Sequence, residues 1–67
     1  MPTYTVTFIN EIGRVEAEIE REATNYADAI ESATREMPDS FVGTAVAQNA
    51  YGDEFECLVR CCDRYAG

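Results

Sequence analysis

The chain has 67 residues, which holds one small domain of residues 1–67; a chain this short buries only about 60% of the surface its extended form exposes. Thirteen Asp and Glu stand against five Arg, with no Lys and no His, for a formal net charge of -8. That balance speaks against direct contact with nucleic acid or an anionic membrane surface, both of which need cations, while a 46% hydrophobic content is enough for a core.

Thr3 to Ile9 alternates, with Tyr4, Val6 and Phe8 on one face and three threonines on the other, and predicts a half-buried strand. Asn10 to Gly13 carries turn residues. Arg14 to Glu22 alternates again, with Val15, Ala17 and Ile19 expected inward and Glu16, Glu18 and Glu20 outward, so the two segments read as a hairpin.

The period then changes. Tyr26, Ile30, Ala33 and Met37 recur at helical spacing, with Ala27 and Thr34 flanking the stripe. Thr24 or Asn25 caps the start, Asp28 lies in the first turn, Glu31 and Arg35 form an i,i+4 pair, and Pro38 is expected to end the helix near Glu36 or Met37. Phe41 to Asn49 follows as a β-prone segment. Ala50 to Asp53 forms the next turn, and Glu54 to Cys62 alternates with Phe55, Cys57, Val59 and Cys61 inward. Residues 63–67 read as a frayed tail.

The order β-β-α-β-β predicts an α+β fold, a four-stranded antiparallel sheet with the helix packed on one face. Keeping all neighbours antiparallel leaves strand orders 1-2-4-3 and 2-1-3-4. The first is preferred, without excluding the second. It makes strands two and four neighbours and crowds Glu16, Glu18, Glu20, Glu54 and Glu56 on one bare face, relieved by Arg14 and Arg60. The second order sets them on opposite edges.

Enzyme chemistry finds little footing. Without His or Lys, the usual general base and Schiff-base nucleophile are missing, and the i,i+2 glutamates project from an open face rather than into a cleft. Cys57, Cys61 and Cys62 are too few and too clustered for a zinc tetrahedron, and fit small apolar strand residues in a reducing compartment. The acidic segments lack calcium-loop spacing, so no metal and no cofactor are expected.

What remains is the acidic surface. Outward glutamates also serve solubility. Four of them in one strand nevertheless run against β-propensity and repel one another, a local inconsistency of the kind found at functional sites. Such a surface is complementary to a protein groove lined with Lys and Arg. The run Arg14-Val-Glu-Ala-Glu-Ile-Glu20 ahead of Tyr26-Ala-Asp-Ala-Ile30, in a small acidic chain without Lys or His, resembles small phage-encoded anti-CRISPR proteins, in particular those acting on the type I-C surveillance complex.

The resemblance implies a cytoplasmic protein of the infected bacterium that binds the effector complex stoichiometrically and blocks recognition of target DNA. The charge map nominates Glu16, Glu18, Glu20, Glu54 and Glu56 as the contact, with Asp28 and Glu31 as a second patch and Ile9, Tyr51 or Leu58 as apolar anchors. Two alternatives stand beside it. One is an interaction module that self-associates through a sheet edge, with strand one or strand three the poorly guarded candidate. The other is an antidote to a basic toxin.

Overall fold

The computed structural model describes residues 2–38 and 40–60. Asp39, the cysteines Cys61 and Cys62 and the tail 63–67, on which several expectations fell, lie outside the described residues. The elements are β1 (Thr3–Asn10), β2 (Val15–Glu22), α1 (Tyr26–Thr34), β3 (Val42–Gln48) and β4 (Glu54–Arg60).

The four strands form one antiparallel sheet in the order β2-β1-β3-β4. This overturns the preferred order 1-2-4-3 in favour of 2-1-3-4. The residues explain why. β1 is apolar on one side and threonine-rich on the other, and β3 is built of Val, Ala, Thr and Gly, so both tolerate neighbours on each edge; the glutamate-bearing β2 and β4 are left outside. Strands one and three, expected as open edges, are therefore the central pair.

The two hairpins are closed by the same device. In Asn10-Glu11-Ile12-Gly13-Arg14, the Asn10 side-chain oxygen accepts from the backbone N–H of Ile12 at 3.1 Å and of Arg14 at 2.9 Å. In Asn49-Ala50-Tyr51-Gly52-Asp53, the Asn49 oxygen accepts from Tyr51 at 2.9 Å and Asp53 at 3.0 Å. Gly13 and Gly52 sit at φ values of 86° and 89°, a region closed to most side chains. Each loop holds an exposed apolar residue at its third position, Ile12 and Tyr51.

The helix starts where Asn25 accepts from the Asp28 backbone N–H at 2.9 Å, while the Thr24 hydroxyl donates to the Asp28 carboxylate at 2.8 Å. It ends at Thr34, short of the expected Glu36 or Met37. The Thr34 hydroxyl donates to the Ile30 carbonyl, and the Glu36 and Met37 N–H groups reach back three residues, to Ala33 and Thr34, tightening the chain before Pro38. Met37 is still buried.

One cluster holds the core: Tyr4, Val6 and Phe8 of β1, Ala45 and Ala47 of β3, Val59 of β4, Ala29, Ile30 and Ala33 of α1, and Ala23, Met37 and Phe41 of the connections. Ala29 and Ala33 of α1 and Ala45 and Ala47 of β3 are all fully buried, and the Phe8 ring is fully enclosed, edge-on to Phe41 at 5.5 Å. Gly43 is required there, since a methyl group at that position runs into the Ile9 carbonyl and the Phe41 ring. The helix contacts run mainly to β1, β2 and β3. Phe55 of β4 is covered only in part, by stacking on Tyr26 at 5.6 Å, and remains 49% exposed.

Candidate acidic binding face

The side of the sheet away from the core cluster is laid out by register. Across it, Glu20, Thr5, Gln48 and Glu54 form one row, and Glu18, Thr7, Val46 and Glu56 the next. Glu22 extends the β2 side opposite Thr3. Glu18, Glu20 and Glu22 of β2 and Glu54 and Glu56 of β4 thus make two columns on one face, with an uncharged strip of Thr, Val and Gln between them. Within a column, i,i+2 carboxylates are about 6.7 Å apart along the strand, and the columns stand three strand spacings apart, about 14 Å.

The single crowded cluster expected of Glu16, Glu18, Glu20, Glu54 and Glu56 is therefore not formed. β2 and β4 occupy opposite edges, and two central strands separate their carboxylates. Glu16 leaves the ladder altogether. Phe8 pairs with Ala17 but Ile9 with Val15, so Glu16 is an extra residue at a bulge. Its carboxylate accepts from the Asn10 amide at 2.6 Å and lines a hollow with Met37, Pro38 and Phe41. The same bulge corrects Val15, expected inward: it is 56% exposed and pairs with Ile9.

Asp28 and Glu31 do not join this face. Both are on the exterior of α1, where the Asp28 carboxylate accepts from the Thr24 hydroxyl in the first turn and Glu31 pairs with Arg35 at 3.2 Å. Arg21 is paired with Glu36. These two arginines are thus engaged by carboxylates outside the two columns.

Beyond the acidic rows the face turns apolar. Val15, Ile9, Thr44 and Leu58 form the next row, with Ile12 in the adjoining turn. Leu58 is 88% exposed and Ile12 81%. Leu58 and Ile9 were nominated as anchors, whereas Tyr51 lies in the other turn, at the opposite end of the sheet. The contribution of Val15 was missed, because no residue type announces the bulge that re-aims it.

Two groups on the core side titrate above their ordinary values. Burial, helped by the Asp53 carboxylate and by Tyr4, pushes the Tyr26 phenol up; its oxygen accepts from the Asn49 amide at 3.1 Å. Burial alone pushes the Cys57 thiol up, so it is a weak nucleophile. Among the described residues, no three His, Cys, Asp or Glu side chains gather to hold a metal ion, and no helix is long and apolar enough to cross a membrane. Comparison of the chain with known protein families, curated proteins and solved structures gives no match.

Proposed function

We propose that this protein is a non-enzymatic inhibitor whose acidic face occupies a basic DNA-binding surface of a protein partner, as a surveillance complex of a bacterial CRISPR system presents, and so blocks target DNA. The supporting observation is the pair of acidic columns on one bare face, with an uncharged strip between them. In this reading the helix lids the other face and leaves the columns to the partner. DNA likewise presents regularly spaced negative charge on two strands flanking a groove. No cofactor enters the mechanism. The setting is the cytoplasm of a phage-infected bacterium.

Each residue has a part. Glu18, Glu20, Glu54 and Glu56 attract Lys and Arg of the partner and speed a salt-sensitive encounter. Leu58, with Ile9, Val15 and Ile12 at the apolar end, supplies the desolvated contact that slows dissociation. Glu16, Asp28 and Glu31 act from outside the columns, through the net field of the molecule. An antidote for a basic toxin would use the same physics on a different target.

The test is the variant Glu18→Arg/Glu20→Arg, assayed for its effect on DNA binding by a type I-C surveillance complex. Loss of inhibition with an unchanged melting curve is the expected result. Full inhibition by the folded variant, or no effect of the unaltered protein on the complex, overturns the reading.

A further inference from the structure

Among the described residues β4 pairs only with β3, so its outer edge offers a row of backbone N–H and C=O groups. It also shows apolar side chains on both faces of the sheet, Leu58 at 88% exposure on the acidic side and Phe55 at 49% on the core side. β2, the other edge, is guarded: on the acidic side it presents Glu18, Glu20 and Glu22. The two edges are not equivalent, and the difference selects a partner.

We infer that β4 pairs antiparallel with β4 of a second copy of this chain, joining two sheets edge to edge. The register follows from three constraints: a common face for the side chains, no like-charge pair and the longest run of paired residues. Side chains on a common face of a continuous sheet require the two-fold axis to pass through a residue rather than between residues, because the side-chain period is two. Centring on Glu56 sets Glu56 against itself, a like-charge pair that is destabilising. Centring on Cys57 pairs all seven residues of Glu54–Arg60. Glu54 then stands opposite Arg60 of the second copy, Phe55 opposite its Val59, Glu56 opposite its Leu58, and the two Cys57 face each other. Each copy contributes one Glu54–Arg60 pair, so the joint carries two opposite-charge pairs and no like-charge pair.

The same operation on β2 fails. Every register of β2 with itself that keeps the faces aligned sets glutamate against glutamate on the acidic side. Self-association is thereby confined to β4. It leaves the Glu18, Glu20 and Glu22 column of each copy free at the outer edges of the joined sheet, while Glu54, Glu56 and Leu58 lie along the joint. A single pairing of seven-residue strands buries less than the ~1,200–2,000 Å² of a standard stable interface, so the dimer dissociates on dilution.

The experiment is sedimentation equilibrium over a wide concentration series, on the protein with Cys61→Ser and Cys62→Ser so that Cys57 is its one thiol. Mass is expected to rise from 7.5 kDa toward twice that value. Residues directly opposite in an antiparallel pair have Cα atoms about 4.5–5.5 Å apart, within disulfide range. Oxidation by diamide, which takes the two thiol hydrogens and is reduced to its hydrazine as the S–S bond forms, is therefore expected to trap a covalent Cys57–Cys57 dimer. Arg60→Glu is expected to abolish both the mass increase and the trapped dimer, with its circular dichroism unchanged, and Glu22→Arg on β2 to leave both in place. A constant monomer mass at the highest concentration overturns the proposal. So does a dimer that Arg60→Glu leaves intact or that Glu22→Arg abolishes.

Discussion

The two faces of the sheet are made of neighbouring residues in the same strands, yet they obey different rules. On β1, Tyr4, Val6 and Phe8 are buried to within a few per cent, while Thr3, Thr5 and Thr7, one position away, are partly or fully exposed. The core side is constrained by volume: Phe8, Ala29, Ala33, Ala45 and Ala47 fit together only at their present sizes. The acidic side is constrained by charge, and its rows tolerate changes of shape. Stability and recognition are thus divided between alternate residues of one strand.

The largest effect expected from breaking this division is on the core side. Phe8→Ala removes a fully enclosed ring and is expected to cost about 3–5 kcal/mol, which a domain of this size does not have to spare. Thr7→Ala, adjacent in the chain and on the other face, is expected to cost no more than about 1 kcal/mol. Urea titrations followed by circular dichroism separate the two; equal losses would mean that both faces are packed. Gly43→Ala comes next, at about 1–3 kcal/mol, because the added methyl meets the backbone of Ile9 as well as the Phe41 ring.

The turns give a smaller and more even pair. Asn10→Ala and Asn49→Ala each remove an oxygen that accepts two backbone N–H groups, at about 1 kcal/mol. Each amide donates as well, the Asn10 amide to the exposed Glu16 carboxylate and the Asn49 amide to the part-buried Tyr26 hydroxyl, and the part-buried contact is expected to make Asn49→Ala slightly the costlier. The same urea titrations rank them, and a costlier Asn10→Ala would show that the Glu16 contact outweighs the Tyr26 one.

Much of this was readable before the fold. Period-two alternation marked Tyr4, Val6 and Phe8 as core, and Asn25, Asp28 and the Ile30-Ala33-Met37 stripe marked the helix. The strand order was not readable, because the alternation within each strand is the same in either order; what decided it was the capacity of β1 and β3 for two neighbours. That in turn fixed the geometry of the acidic site. Glu18, Glu20, Glu54 and Glu56 were correctly given one face, but their separation into two columns depended on the order. Glu16 and Val15 were misassigned because a bulge between Phe8 and Ile9 shifts the register at one step, and sequence alternation runs through such a step without a mark.

pH sharpens the comparison from the core side. The Cys57 thiol and the Tyr26 phenol are both raised by burial, so in the unfolded chain each ionises at a lower pH than in the folded one. Their contribution is fully present below the unfolded values, about 8.5 for Cys and about 10 for Tyr, and is lost as pH rises through them toward the folded values. The urea midpoint is therefore expected to fall between neutral and strongly alkaline pH, with Cys57→Ala flattening the start of the decline. A midpoint insensitive to alkali would mean that neither group loses solvent on folding.

The smallest effects belong to the acidic face, and their pattern carries more information than their size. Glu18→Gln or Glu20→Gln relieves repulsion within a column and is expected to stabilise the fold by a few tenths of a kcal/mol. Glu18 and Glu20 are about 6.7 Å apart along the strand, within a Debye length of about 8 Å at physiological ionic strength, whereas Glu18 and Glu56 are separated by about 14 Å. The double variant Glu18→Gln/Glu20→Gln is therefore expected to gain less than the sum of its parts, because the first substitution already removes the repulsion that the second would relieve. Glu18→Gln/Glu56→Gln is expected to be additive, as separations beyond about 7–10 Å usually are. Added salt should shrink the gain of each single variant. Non-additivity across the columns would mean that the uncharged strip between them does not insulate one row of carboxylates from the other.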